Sequence, residues 1–297
     1  AVVRAMDAVA EFSRTLERSG GIPAVASFAV TGWSKRAVAT YMAGAIDPRV
    51  KIIVPVSHPV NLDVQGRDSF QNLGETVSAA KVYDMAGVYK LSGPTFAKLE
   101  SLIDPVSYLD RLTMPKLVTL NGRDGFFAPD STRTWWGRLP SPKSFFMSPN
   151  HRHEGFTQSI RDVATSFIAG TVHQKAMPMI DWTIDGATGD IAVRQVSDHT
   201  PLWVSVWSAD SPTKRTRDFR SATYVNHTFS AEPGRDGRSW VVRAPPPQEG
   251  WRAIFAEFVY EPVIPLAPNY KTSTEVSVVP SGRPFAPDPK RANYVFR

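Results

Sequence analysis

Residues 28–36 read Phe28-Ala29-Val30-Thr31-Gly32-Trp33-Ser34-Lys35-Arg36, and they join two segments of different character. The apolar run that leads into them, Val25 to Val30, is typical of a strand buried on both faces. The segment that follows, Lys35 to Ala45, is rich in alanine and has few helix breakers, which predicts a helix. A strand, a turn at Gly32, a serine and a helix therefore follow one another directly.

This layout is that of the nucleophile elbow of α/β-hydrolases, in which a sharp turn points a serine oxygen out of the backbone. The new helix would direct its first N–H groups at the place where an oxyanion forms. The usual pattern is G-x-S-x-G, and here Arg36 stands at the second glycine. A serine before a helix is also a frequent N-cap, so both interpretations of Ser34 are open at this point.

The composition is that of a globular protein, with 42% apolar and 21% charged residues among 297. No apolar run approaches the roughly 20 residues that cross a bilayer. The absence of cysteine excludes disulfides, thiol catalysis and thiolate metal sites. The net charge of +6 is scattered and forms no basic stripe with stacking aromatics, so we predict no nucleic-acid partner.

Strands and helices alternate along the first 175 residues, which predicts an α/β fold with a parallel sheet. Further strands are expected at Val50–Val56, Lys116–Leu120 and Lys143–Ser148, with a helical cap inserted at about 58–112. Helices are expected at Glu75–Tyr89, Pro94–Ile103, Pro105–Leu112, Ser131–Arg138 and Glu154–His173. The chain opens in an amphipathic helix with no strand before it. We therefore expect a further segment or a second chain to complete the sheet and to cover the strand that leads to Ser34.

Three residues with complementary chemistry each follow the end of a predicted strand: Ser34, Asp124 and His153. The carboxyl ends of parallel strands meet at one edge of a sheet, and the order Ser, Asp, His is that of the α/β-hydrolase triad. His153 would remove the proton of Ser34, and Asp124 would orient the imidazole. The backbone N–H of Lys35 would be one oxyanion donor, and a loop after an earlier strand, outside this sequence, the other.

Several neighbours have more than one interpretation. Lys35 and Arg36 either bind an anionic acyl group or form ion pairs on the first turn of the helix. His58 either lines the site or is a solvated loop histidine. Asp130 is a rival acid or a helix cap.

His151 is the rival base and a possible substrate-binding residue. Although it lies two residues from His153, a spacing that metal sites use, no third ligand is evident, so we predict neither a metal nor a cofactor.

Past residue 176 the pattern changes to short alternating runs separated by turn residues, which predicts a small antiparallel β-sandwich of immunoglobulin or fibronectin-like type at 176–265. Its expected strands are Ile191–Val196, Leu202–Trp207, Thr223–Phe229, Ser239–Ala244 and Trp251–Tyr260. The proline-rich stretch 266–297 predicts an extended tail.

The chain resembles the PhoPQ-activated pathogenicity-related protein family. The matching residues are Gly32-Trp33-Ser34-Lys35-Arg36, Asp47-Pro48-Arg49-Val50-Lys51, Asn61-Leu62, Asp104-Pro105-Val106-Ser107-Tyr108, Asp124 with Phe126-Phe127 and Pro129-Asp130, Pro149-Asn150 with His153, and Arg217-Asp218-Phe219-Arg220. The resemblance implies an α/β-hydrolase-like fold with a β-rich C-terminal domain, first strands that precede Ala1, and export to the periplasm or the exterior. The family's reaction is poorly defined.

These observations favour a serine hydrolase that acts on an ester or amide of a small molecule or peptide. Two alternatives stay open. One is a binding or signalling protein on a hydrolase scaffold, since fold does not settle function. The other is a subunit cleaved from a longer precursor, with a partner that carries the missing strands.

Overall fold

The computed structural model describes residues 1–75, 85, 87, 91, 93–228 and 231–287. A four-stranded parallel sheet in the order β1-β2-β3-β4 organises the first part of the chain. Its strands are β1 (Phe28–Trp33), β2 (Val50–Val56), β3 (Lys116–Asn121) and β4 (Lys143–Ser148). The predicted class, an α/β-hydrolase-like parallel sheet followed by antiparallel sheets, is confirmed.

Helices precede, connect and follow these strands in the described part of the chain. They are α1 (Val2–Arg18), α2 (Lys35–Ile46), α3 (Leu62–Leu73), α4 (Gly93–Ile103) and α5 (Gln158–Val172), with 3-10 helices at Pro105–Arg111 and Trp136–Arg138. No helix in the described part of the chain has both the length and the apolar character needed to cross a membrane. The helix predicted from Glu75 to Tyr89 falls almost wholly outside the described residues.

Three helix predictions need correction. The expected helix at 131–138 is a series of turns that ends in the short 3-10 helix, and the expected helix at 105–112 is also 3-10. Helix α5 begins at Gln158, four residues later than expected, because the Thr157 side chain accepts a hydrogen bond from the Ile160 N–H and caps it there. Helix α3 was not predicted at all.

Strand β1 lies at the edge of the parallel sheet, and it continues through Gly32 to Trp33. Its predicted burial on both faces is wrong, because Ala29 and Thr31 are exposed. The expected cover over its outer side is not supplied by the described residues, among which only β2 pairs with β1. The central strands β2 and β3 are buried almost throughout.

Two antiparallel sheets follow. The first has the order β5-β6-β10-β9, and in the second the order is β12-β11-β7-β8, with β13 also paired to β11. The strands are β5 (Ile180–Ile184), β6 (Ile191–Gln195), β7 (Trp203–Asp210), β8 (Val225–Thr228), β9 (Glu232–Pro233), β10 (Ser239–Val242), β11 (Arg252–Tyr260), β12 (Tyr270–Ser273) and β13 (Ser277–Val279). Trp240 of the first sheet contacts Phe258 of the second, at 5.1 Å between ring centroids. The prediction of an extended tail from residue 266 is wrong for β12 and β13, which pair with β11.

The parallel sheet and the antiparallel sheets share their hydrophobic core. Leu117 and Phe146 belong to a cluster that also contains residues of α5 and Phe258 of β11. Val118, the next residue along β3, points to the opposite face and belongs to a second cluster that contains Phe255. Strand β12 covers the outer edge of β4, since the Thr272 hydroxyl donates to the Phe145 carbonyl at 3.0 Å. The domain boundaries near residues 175 and 265 stay predictions.

Candidate active site

Ser34 occupies the sharp turn between β1 and α2. Its backbone has φ 56° and ψ −127°, a conformation that non-glycine residues rarely adopt and that the surrounding structure must hold. The Ser34 N–H donates to the Val56 carbonyl at 2.9 Å. A Cβ atom at Gly32 would lie 2.4 Å from the Arg36 carbonyl oxygen, so only glycine fits there. The side chain of Ser34 makes no capping hydrogen bond, and the N-cap interpretation is therefore wrong.

The structure brings Ser34, His153 and Asp124 into one hydrogen-bonded chain. His153 Nε2 lies 2.7 Å from Ser34 Oγ, and His153 Nδ1 lies 2.8 Å from Asp124 Oδ2. The side chains of His153 and Asp124 are 14% and 3% exposed. The other carboxylate oxygen of Asp124 accepts from the N–H groups of Phe126 and Phe127. Such an arrangement can transfer a proton from a hydroxyl to an imidazole.

Aromatic rings surround the imidazole of His153. The ring of Phe126 lies 4.3 Å away, between centroids, and the ring of Trp33 lies 5.6 Å away. These contacts restrict the rotation of the imidazole and leave its side chain 14% exposed. Hydrogen bonds and charges act more strongly in such a setting than in bulk water.

A buried asparagine holds the loop that carries His153. Asn121, the last residue of β3, directs its amide nitrogen at the carbonyl oxygens of Arg152 and Glu154, at 2.6 and 2.9 Å. The same nitrogen lies 2.8 Å from Ser57 Oγ, which in turn donates to the Glu154 carbonyl at 2.7 Å. The carbonyl groups of the residues on either side of the histidine are therefore tied to the carboxyl ends of β2 and β3.

Lys35 and Arg36 are exposed at the start of α2. Within the described residues neither side chain forms an ion pair, so the ion-pair interpretation is not supported. Lys35 is the first residue of α2, and its backbone N–H has no acceptor within the helix. This N–H lies directly after Ser34, at the position that an oxyanion donor takes in a nucleophile elbow.

His58 and His151 have different surroundings. His58 is 9% exposed, so it is not a solvated loop histidine. Its ring packs on Phe127, and burial is the main reason that its pKa falls to about 4. His151 Nδ1 lies 2.7 Å from Ser148 Oγ, a separate contact from that of His153. Among the described residues, no group of three or more potential ligand side chains has the geometry of a metal site.

Asp130 does not cap a helix. Its carboxylate forms a two-point ion pair with the Arg217 guanidinium at 3.0 and 2.8 Å, and Arg217 is 4% exposed. Burial by itself raises the pKa of the Asp130 carboxyl, but Arg217, Arg133 and Arg283 outweigh it, so the pKa lies far below its usual value. Since Asp130 is committed to Arg217, it is not the acid that contacts His153.

A family model of the PhoPQ-activated pathogenicity-related protein matches residues 1–220. The chain belongs to this family. The matched residues include Gly32-Trp33-Ser34-Lys35-Arg36, Asp124 and His153.

One curated relative of this PhoPQ-related chain is the autocrine proliferation repressor protein A of Dictyostelium discoideum, with 31% identity over 309 residues. The match covers 96% of this chain and 61% of the relative, so the chain spans less than two thirds of that protein's length. Among solved structures, acetyl xylan esterase 1 from Thermoanaerobacterium sp. JW/SL YS485 has a TM-score of 0.39 and 17% identity, covering 54% of this chain and 50% of that one. A puromycin-hydrolyzing peptidase of Mycobacterium tuberculosis has a TM-score of 0.38 and 17% identity, covering 54% of this chain and 24% of that one.

Two cavities of this PhoPQ-related chain differ in their relation to the site. The larger, of about 940 Å³, lies between Arg217 and the loop at 185–190, and Ser34, Asp124 and His153 do not line it. The smaller, of about 30 Å³, separates the Asp124 loop from residues 217–220. Neither was predicted, because each forms between segments that are far apart in the sequence. Asn121 and Trp33 were also missed as supporting residues, although their position at strand ends beside the site could have suggested them.

Proposed function

We propose that this protein is a serine hydrolase that transfers the acyl group of an ester or amide to water. Ser34 Oγ attacks the carbonyl carbon while its proton moves to His153 Nε2, and Asp124 stabilises the imidazolium that results. The backbone N–H of Lys35 donates to the oxygen that becomes negative. His153 then returns the proton to the leaving alcohol or amine. A water molecule repeats the sequence on the acyl-serine and releases the acid.

One observation carries this proposal: the unbroken chain of contacts from Ser34 Oγ through both nitrogens of His153 to Asp124, at 2.7 and 2.8 Å. The backbone conformation of Ser34 supports it further, because residues in such conformations are concentrated at functional sites. Triads of this kind are recognised by geometry and roles, and the chain order Ser, Asp, His is that of α/β-hydrolases.

The substrate remains a small molecule or a peptide in this proposal. Exposed Lys35 and Arg36 have no carboxylate partner among the described residues, which favours an acyl group that carries a negative charge. His58 and Phe127 form an uncharged, partly aromatic wall close to His153. His151 remains a weaker candidate for substrate contact, since Ser148 already holds its Nδ1.

We also propose that a segment outside this chain, from the same polypeptide or a second one, pairs with the outer edge of β1. The outer edge of β1 supports this, because β1 pairs only with β2 among the described residues and native proteins protect the edges of sheets. That segment would supply the second oxyanion donor. Export to the periplasm or the exterior is part of the same proposal, on the strength of the family, and fractionation of cells that express the intact protein tests it.

A second candidate function is that of an extracellular signal built on a hydrolase scaffold. The name of the Dictyostelium relative, an autocrine proliferation repressor, favours it. In that case Ser34→Ala would leave the effect on cells unchanged while the protein stays folded.

The hydrolase proposal is tested by following p-nitrophenyl acetate hydrolysis with the intact protein. We expect Ser34→Ala to lower the rate by about 10⁴-fold or more, because the nucleophile is lost. Ser101→Ala, at a serine whose hydroxyl donates to the Lys98 carbonyl, is the matched control and retains the rate. A folded wild-type protein with no rate above that of buffer contradicts the proposal.

A further inference from the structure

Tyr224 lies immediately before β8 of the antiparallel part, and it contacts both loops that carry the acid and the base. It is buried, with 2% of its surface exposed. Its backbone N–H donates to Asn150 Oδ1 at 2.8 Å, and its carbonyl accepts from Asn150 Nδ2 at 2.9 Å. This reciprocal pair joins β8 to the loop that leads from β4 to His153.

The side chain of Tyr224 reaches the other loop. Its hydroxyl donates to the Gly122 carbonyl at 3.2 Å. Its ring packs so closely against Gly122 that a Cβ there would lie 2.8 Å from the ring. Gly122 stands two residues before Asp124, so the tyrosine fixes the point at which the chain leaves β3 for the acid.

The two loops are also joined to each other. The Gly122 N–H donates to the Ser148 carbonyl at 2.8 Å, and the Arg123 N–H donates to the His151 carbonyl at 3.0 Å. A displacement of either loop is therefore passed to the other. Because the Asp124–His153 contact is 2.8 Å long, a shift of about 1 Å would break it, and misplacements of that size can cost about 10²-fold in rate.

We propose that Tyr224, together with Asn150, is a positioning residue of the active site: the antiparallel part clamps the two loops that bring Asp124 to His153. This rests on the proposed hydrolase function. It assigns to the C-terminal sheets a part in building the catalytic geometry, besides any part in substrate binding. The antiparallel sheets and the hydrolase part then act as a single catalytic unit.

Two readouts on the intact protein test the clamp. The first is backbone hydrogen exchange, which reports the loops whether or not the protein is catalytically active. We expect Tyr224→Phe and Asn150→Ala to speed exchange in peptides that cover 121–126 and 149–154. The second is the rate of inactivation by a fluorophosphonate probe. We expect kinact to fall about 10-fold in each variant with little change in KI, because the probe still binds while the base is misplaced.

Tyr260→Phe is the matched control. Tyr260 is as buried as Tyr224, at 1% exposed, and its hydroxyl likewise makes one hydrogen bond, to Gln195 Oε1 at 2.6 Å, but it lies on β11 away from both loops. We expect exchange in the two loops and kinact to stay at wild-type values in this variant. A merely structural role for Tyr224 would make the two tyrosine variants behave alike.

The possible outcomes are distinct. Unchanged exchange and unchanged kinact in Tyr224→Phe and Asn150→Ala overturn the clamp, and so do equal changes in Tyr260→Phe. A wild-type protein that does not react with the probe removes the hydrolase function. The exchange result then decides alone whether Tyr224 holds the loops.

Discussion

The Asp124→Asn substitution exchanges one oxygen for an NH₂ group at almost constant volume. The structure fixes how the new amide must be oriented. Asp124 Oδ1 accepts from the N–H groups of Phe126 and Phe127, at 2.8 and 3.3 Å, and only the oxygen of an asparagine can accept there. The NH₂ group is thereby directed at His153 Nδ1, 2.8 Å from the position of the replaced oxygen.

A hydrogen-bond donor at that place reverses the tautomer of the His153 imidazole. Nδ1 must accept, so the proton of neutral His153 moves to Nε2, which then faces Ser34 with a hydrogen and cannot remove one. Enforcing the wrong tautomer in a triad lowers the rate by about 10⁴-fold. This corresponds to about 5.5 kcal/mol of transition-state stabilisation, at about 1.4 kcal/mol for each factor of ten.

The assay is the second-order rate of fluorophosphonate labelling at neutral pH, with urea unfolding of each variant as a check on folding. Asp124→Ala leaves both tautomers accessible, so we expect it to react at least as fast as Asp124→Asn. Asp130→Asn is the control at the rival carboxylate, and it should label at the wild-type rate under conditions in which it is folded, because Asp130 contacts Arg217. Labelling of Asp124→Asn within about 10-fold of the wild type would refute this reasoning.

Three further predictions concern neighbouring residues. Asn121→Ala frees the loop that carries His153, and we expect labelling to slow about 100-fold with a loss of about 2–3 kcal/mol in the free energy of unfolding; unchanged labelling would contradict it. Arg217→Met leaves the charge of Asp130 buried without its main partner and should lower the free energy of unfolding by about 3–5 kcal/mol in urea titrations. We expect Asp130→Asn to lower the free energy of unfolding by less than Arg217→Met does. Burial lowers the pKa of Lys116 from its ordinary 10.5 to about 7, so between pH 7 and 10 the unfolded state binds more protons than the folded state. The free energy of unfolding of the wild type, relative to that of Lys116→Met, should therefore rise with pH over this range. A difference between the two free energies that stays constant with pH would count against this prediction.

The parallel sheet and the candidate site were accessible to sequence reasoning for a physical reason. Strands β2 to β4 are buried, so their apolar runs are visible in the sequence. In a parallel sheet the residues that follow such strands converge at one edge. That rule, together with the elbow layout around Ser34 and the chain order Ser, Asp, His, identified Ser34, Asp124 and His153 as candidates.

Helix α3 shows where such reasoning fails. The residues that it buries are polar: Asp63, Gln65, Asp68 and Asn72. It has no apolar stripe of helical period, which is the usual signal for a helix. Its first N–H groups are satisfied by a distant side chain, since Asp104 accepts from the N–H groups of Asn61 and Leu62 at 3.1 and 2.5 Å. The cap is therefore invisible in the local sequence.

The same limit applies to the residues that support the site. Asp130 was expected to begin a helix, and its actual partner, Arg217, is 87 residues away. The Tyr224 hydroxyl donates to the carbonyl of Gly122, which is 102 residues away in the sequence. Strands β12 and β13 are short and lie in a proline-rich stretch, and only their pairing with β11 defines them. Each of these features depends on the tertiary fold, whereas periodicity and turn signals report only neighbours in the chain.

The most direct test of the central claim is to locate the adduct of a fluorophosphonate probe on the intact, folded protein by peptide mass spectrometry. We predict a single adduct on Ser34 that forms with second-order kinetics and is absent from Ser34→Ala and from His153→Ala on the same timescale. An unlabelled Ser34 in protein that hydrogen exchange shows to be folded would contradict the proposed chemistry. So would an adduct that forms equally fast when His153 is replaced.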